Sequence, residues 1–256
     1  MIDAHVHFWG TEVAAADWLA DERTASIRRP VGIAEYADAA AGSGVEGIVV
    51  VTAEQSVAES ARLVAECAAE PLVRGVVGWA DLANGFVAAE LDGLVGIRHS
   101  VITEPPGWLR RHDVRAGIAA FARTGLVLEL LVAARDLADV AACATEHPAL
   151  PIVVDHLGDP SVPDGTWMRG IRALASHENV RVKLSGDHAT AATAGLVLDA
   201  LGPSRVLVGS DWPVSTVRQP LDVEFESLVS LLGGLASDER DRVLTGTAVA
   251  TYRLAS

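Results

Sequence analysis

The sequence predicts an α/β fold, a closed (β/α)8 barrel of eight parallel strands, and three observations point to it. Short apolar, β-branched runs recur along the whole chain, and each is followed by a stretch with helical periodicity. The length, 256 residues, lies near the ~250 typical of such a barrel, and no linker-like stretch divides the chain. One domain covering residues 1–256 is therefore expected.

The strand runs come in order as Ile2–Phe8, Gly47–Ala53, Val73–Trp79, Leu94–His99, Leu126–Val132, Pro151–His156, Val180–Ser185 and Arg205–Ser210. Ile48-Val49-Val50-Val51 and Val206-Leu207-Val208 are apolar at consecutive positions, as strands are when a barrel interior covers one side and helices the other. Parallel pairing follows. Between the runs, Ser56–Ala69, Val114–Thr124 and Leu137–Thr145 carry Ala, Leu and Val at helical spacing, so each can lay an apolar stripe on the sheet. An open, doubly wound sheet uses the same alternation, but eight units in a chain of this length fit closure better, and closure removes exposed edges.

Half of the residues are hydrophobic and only 5% are aromatic, so the core is built mainly of small and branched side chains. A formal net charge of −14 argues against nucleic acid or an anionic membrane as partner, since both demand clustered positive charge. The first residues read as a strand rather than a basic, apolar leader, and no run approaches the ~20 apolar residues of a spanning helix. A cytoplasmic location is expected, with a small-molecule substrate and, at most, further copies of the chain as partners. Cys67 and Cys143 fall in expected helices without CxxC spacing and read as buried thiols.

In barrels of this kind catalytic groups sit where strands end. The first run reads Asp3-Ala4-His5-Val6-His7-Phe8 and places two imidazoles at i and i+2, on one side of a strand and close enough to share a ligand or an ion. A chance His-x-His is common. Here the sixth run ends Asp155-His156-Leu157-Gly158 and the eighth ends Gly209-Ser210-Asp211-Trp212-Pro213, so a third imidazole and a carboxylate reach the same rim. A carboxylate directly after a strand can merely cap the next segment. Pro213 and the turn beyond it make an exposed, functional position at least as plausible.

His-x-His at the first strand together with Gly-Ser-Asp-Trp-Pro at the eighth resembles the amidohydrolase superfamily of TIM-barrel hydrolases, in particular its branch of sugar lactonases and pyrone dicarboxylate lactonase. Gly78-Trp79-Ala80-Asp81, Gly96-Ile97-Arg98-His99, Val153-Val154-Asp155-His156-Leu157-Gly158, Val182-Lys183-Leu184-Ser185-Gly186 and Gly246-Thr247-Ala248 with Tyr252 stand in the order of that branch, so the resemblance spans essentially the whole chain. It implies that His5, His7 and Asp211 form a metal corner, or a hydrogen-bonding corner in metal-free members, and that His156 lies beside the substrate carbonyl. Asp211 is then the group that takes a proton from water. Metal-rich members hold a second ion with a lysine or glutamate at the fourth or fifth strand and a histidine at the fifth. Here the fourth strand ends in Arg98 and His99, and the fifth carries only Glu129, so the expectation is one divalent ion, zinc before others, or none.

Strand alternation points only one of Arg98 and His99 into the barrel, yet both are carried forward as substrate contacts, with Lys183 as a further point charge; the alternative for each is a structural ion pair in the barrel mouth. Glu129, alone in an apolar strand, should meet a cation such as Lys183 or Arg98 and support the site from behind. The long connection from Trp9 to Pro30 offers Trp9 and Trp18, and the segment after strand four offers Trp108, as aromatic contacts to substrate. His188 reads as a solvated loop histidine, and His112, His147 and His177 as surface residues. The function expected is hydrolysis of a small lactone; a metal-dependent decarboxylase or amide hydrolase, or a barrel that only binds its ligand, stand as alternatives on the same scaffold.

Overall fold

A computed structural model describes residues 1–14, 16–160 and 163–255. Eight parallel strands form one sheet in sequence order: β1 (Ile2–Val6), β2 (Gly47–Val51), β3 (Val73–Gly78), β4 (Gly96–Ser100), β5 (Val127–Leu131), β6 (Ile152–Val154), β7 (Val180–Leu184) and β8 (Val206–Val208). The ring is completed just beyond β8, where Asp211 N–H donates to His5 O (2.9 Å) and His7 N–H to Trp212 O (2.7 Å). The fold is the TIM barrel that the strand runs predict.

The helices are α1 (Thr11–Ala14), α2 (Ile33–Ala39), α3 (Val57–Cys67), α4 (His112–Phe121), α5 (Leu137–Glu146), α6 (Gly165–Ala175), α7 (Ala191–Leu201), α8 (Leu221–Leu231), α9 (Ser237–Asp241) and α10 (Thr247–Tyr252). One unit departs from the regular alternation: β3 is followed by a single 3-10 turn, Ala88–Leu91, and no α-helix. Gly85 and Gly93 both sit at positive φ there, and the Asp81 carboxylate holds the Ala83 and Asn84 amides, which commits the segment to turns. No helix among the described residues is long and apolar enough to cross a membrane. Cys67 and Cys143 are free and buried, and burial pushes their thiols up to about 11 and about 12.

Alternation along the strands sorts the core. Ile2, Ala4, Val49, Val51, Val77, Val127, Val153 and Leu207 form the barrel interior, joined at one end by Ala248, Tyr252 and Leu254. The opposite parity, including Ile48, Val50, Leu128, Leu130, Val154 and Val182, packs outward with residues of the helices in a larger cluster. On β1 the register against β2 shifts between Asp3 and Val6. This irregularity changes which parity faces inward: Ile2 and Ala4 pack inside, then His5 and His7 take over, while Asp3 meets Tyr36 of α2.

Candidate active site

The site is assembled at the carboxyl ends of β1, β6 and β8. His5 Nε2 and His7 Nε2 are 3.1 Å apart, and Asp211 Oδ1 lies 3.7 Å from the first and 3.5 Å from the second. His156 Nε2 stands 4.0 Å from the same carboxylate oxygen. Residues from positions 5, 7, 156 and 211 therefore meet around one point.

Backbone strain marks the two residues that arrive from β6 and β8. His156 (φ 49°) and Asp211 (φ 59°) both adopt the left-handed conformation, and Leu157 and Asp159 share it. For an L-residue that conformation costs about 1–3 kcal/mol, so the surrounding contacts must hold it. At β6 it lets two consecutive residues serve the site: Asp155 follows the inward parity of Val153, and the left-handed turn then swings His156 to the mouth. It also ends the strand at Val154, two residues before the sequence suggests.

Each ring is aimed by a partner on its far side. His7 Nδ1 lies 2.7 Å from Val51 O, and since a carbonyl only accepts, the proton is on Nδ1 and the lone pair of Nε2 faces the corner. His156 Nδ1 contacts Ser185 Oγ at 2.8 Å. His5 is wholly buried, and burial and then the Lys183 ammonium push its imidazole well below the usual range, so it is neutral. Burial by itself raises Asp211, but the carboxyl is held well below its usual range, chiefly by His156.

The donor set fits a divalent ion. Two imidazole nitrogens and a carboxylate oxygen separated by 3.1, 3.5 and 3.7 Å approximate the edges, about 3.4 Å, of a tetrahedral site with zinc–nitrogen bonds near 2.1 Å. Ligand atoms of His5, His156 and Asp211 also lie within 4.8 Å of one another. His5, His7 and Asp211, with His156 beside them, are the residues that would hold it.

A cavity of about 490 Å³ opens over this corner, lined by His7, His156 and Asp211 together with Thr52, Glu54, Gln55, Arg98, Ser100, Thr103, Trp18 and apolar side chains. The loop after β2 supplies Thr52, Ala53, Glu54 and Gln55 to the lining and is pinned from α3: the buried Glu59 carboxylate accepts from Thr52 Oγ1 and from the Glu54 amide (2.8 Å). Arg98 donates to Thr52 O through Nη2 and lines the cavity.

Four residues expected to touch substrate lie outside the lining. Alternation sends His99 to the helix side, where Trp79 Nε1–H donates to Nδ1 (3.3 Å), Glu104 takes Nε2 (3.1 Å) and Trp108 stacks on the ring at 3.9 Å. Trp108 is thereby buried as packing for His99 and does not line the cavity. Trp9 is also buried, its indole N–H donating to Arg29 O (2.8 Å), and Trp18, resting edge-on against it, is the loop tryptophan that reaches the cavity. Lys183 is enclosed beneath the site, 2.6 Å from Glu129 Oε2 and 3.1 Å from Asp155 Oδ1, because two buried carboxylates draw its ammonium inward. Glu129 does meet this cation, and Tyr252 O–H donates to its other oxygen. His188 pairs with Asp159 in a loop.

Sequence reasoning assigned no role to Asp155, Ser185, Glu59 or Asp3. Asp155 was visible as the polar neighbour of His156, but alternation alone excludes two adjacent residues from one site. Asp3 is buried, accepts from the Ser210 amide (2.7 Å) and Tyr36 O–H (2.8 Å), and ties β1 to the turn that carries Asp211.

The barrel with this His-x-His and Asp corner is that of a hydrolase family, and the chain belongs to it: the amidohydrolase family matches residues 2–254. The L-fucono-1,5-lactonase of Burkholderia ambifaria is 30% identical over 282 residues, covering 99% of this chain and 95% of that protein. An amidohydrolase of Burkholderia multivorans solved with bound zinc superposes with a TM-score of 0.91 at 28% identity, covering 99% of each chain. The 2-pyrone-4,6-dicarboxylic acid hydrolase proposed in Pseudomonas putida shares the fold, with a TM-score of 0.80 at 19% identity over 98% of this chain and 97% of that one.

Proposed function

We propose that this chain opens a neutral, hydroxyl-bearing lactone of the sugar-lactone class, with Asp211 as the group that takes the proton from water. The observation that carries the reading is the convergence of His5, His7 and His156 on one oxygen of the ionised Asp211, in a corner that His7, His156 and Asp211 open to the cavity. Similarity to two L-fucono-1,5-lactonases of Burkholderia, each 30% identical, supports the substrate class.

Water held by Asp211 adds to the ring carbonyl as its proton passes to the carboxylate; the carbon–oxygen ring bond then breaks, and the proton returns from Asp211 to the departing ring oxygen. His156 sits where it can donate to the carbonyl oxygen as negative charge develops there. Asp211 is ionised throughout the physiological range, so it is ready to accept, and its low basicity makes positioning the larger part of its contribution. When bound at His5, His7 and Asp211, a divalent ion supplies Lewis acidity to the same carbonyl.

The lining favours a neutral substrate over a dicarboxylate. Among the described lining residues Arg98 is the one fixed cation, and Glu54 and Asp211 offset it, while Thr52, Gln55, Ser100 and Thr103 offer groups suited to hydroxyls. A panel of lactones assayed with a pH indicator, on zinc-loaded and on chelated protein, tests this. Neutral sugar lactones should be turned over and anionic ones should not; a panel without turnover in either form of the protein sinks the proposal.

A further inference from the structure

We propose that the Lys183 ammonium is a built-in cation, occupying a pocket that His5, Glu129 and Asp155 shape for a metal ion, and that from there it positions His5 in the active-site corner.

Lys183 Nζ lies 2.6 Å from Glu129 Oε2, 3.1 Å from Asp155 Oδ1 and 3.1 Å from His5 Nδ1. Glu129 Oε2 accepts one N–H of this ammonium, while His5 Nδ1 and Asp155 Oδ1 each stand 3.1 Å from it. All four side chains are wholly buried, on β1, β5 and β7 and at the end of β6, so the cage is formed by the barrel itself. Ligand atoms of His5, Glu129 and Asp155 come within 4.8 Å of one another, a spacing that also suits a metal ion. Neither oxygen of Asp155 makes a directed hydrogen bond, so its neutralisation rests on the nearby charge of Lys183. A carboxylate left this way in a closed interior is costly unless a cation stays beside it.

The cage touches the site through one atom. His5 turns Nε2 to the corner and Nδ1 to the Lys183–Asp155 pair, 3.1 Å from the ammonium and 3.6 Å from Asp155 Oδ1, so this pair behind the ring fixes where it points whichever nitrogen carries the proton. Tyr252 closes the far side, donating to Glu129 with its ring 6.0 Å from the ammonium. Lys183 is thus a positioning residue that does not touch the cavity.

Replacing Lys183 by Ala removes the atoms of one propylammonium and leaves two carboxylates and an imidazole around the space. Zinc bound per chain is measured after dialysis, and melting temperature with zinc, with propylammonium and with neither, for the wild type, Lys183→Ala, Lys183→Met and Lys183→Ala/Asp155→Asn. The expected result is one more zinc in Lys183→Ala than in the wild type and a melting temperature raised several degrees by either cation. The methionine variant, which fills the space without charge, and the double variant should take up no extra zinc. An alanine variant that binds no more zinc than the wild type and is insensitive to both cations overturns the proposal, as does extra zinc that survives Asp155→Asn. If Lys183→Ala is recovered only as aggregates, it is refolded from urea; a higher yield with zinc or propylammonium than with chelator supports the proposal, and equal yields overturn it. These measurements involve no substrate, so they fail or succeed apart from the lactone reading.

Discussion

Asp211 gathers three imidazoles within 4.0 Å of one oxygen, and its replacement is the most direct residue-scale test. Asp211→Asn keeps the volume and removes the proton acceptor, so kcat on a lactone should fall at least ~100-fold, a typical size for the loss of a positioned acid–base group, with the circular dichroism spectrum unchanged. Arg98→Ala should act differently: Arg98 lines the cavity and makes no hydrogen bond or ion pair with His5, His7, His156 or Asp211, so KM should rise more than kcat falls. Asp3 gives a pH prediction. Burial raises its carboxyl from 3.8 to about 6, even though Ser210, Tyr36 and His5 donate to it. The folded chain then holds a proton that the unfolded chain has released, so Asp3 subtracts stability as pH rises from about 4 to about 6, by up to about 3 kcal/mol. Asp3→Asn mimics the protonated form, keeping an oxygen for Ser210 and offering an amide to the Tyr36 oxygen. Urea denaturation at pH 4, 5, 6 and 7 should show the variant losing less stability over that span than the wild type.

At the scale of elements, the strand ends are where small changes propagate into the site. Gly209 lies beyond β8 against β1, and a methyl group added there would sit 2.5 Å from the His5 Cβ. Gly209→Ala should push His5 out of line, weakening zinc retention and costing about 1–3 kcal/mol, as overpacking does; zinc content and thermal unfolding read the two effects separately. Parts of the site were legible in sequence. His5 and His7 were, because two residues at i and i+2 share a face whatever the rest of the chain does. Asp211 and Arg98 were, because each follows the inward parity of its strand. His99, Trp9 and Trp108 were misassigned because adjacency to the site in sequence says nothing of which side a chain turns to. Asp155 was missed because the left-handed backbone at His156, which brings both neighbours to the site, leaves no signal in the run Val153-Val154-Asp155-His156.

For the whole molecule, the acid limb of stability follows from the opposite shifts in the core. Asp211 is held below its ordinary range chiefly by His156, and Asp155 likewise by Lys183, although burial alone would raise both. Depressed carboxyls contribute stability that is present above about pH 4 and lost as pH falls below it. Unfolding monitored from pH 5 down to pH 2 should therefore steepen below pH 4, and Asp211→Asn should soften that loss.

The eight-unit order, the barrel and the residue types of the corner were determined by the sequence alone, since hydrophobic period and residue identity are local properties of the chain. Tertiary structure alone decided that Lys183 turns inward to Glu129 and Asp155, that the β1 irregularity separates Asp3 from His5, and that Trp18 rather than Trp9 reaches the cavity. Each depends on groups that are distant in sequence and meet only on folding, and buried charge settles where opposite charge is found rather than where its own neighbours in sequence place it.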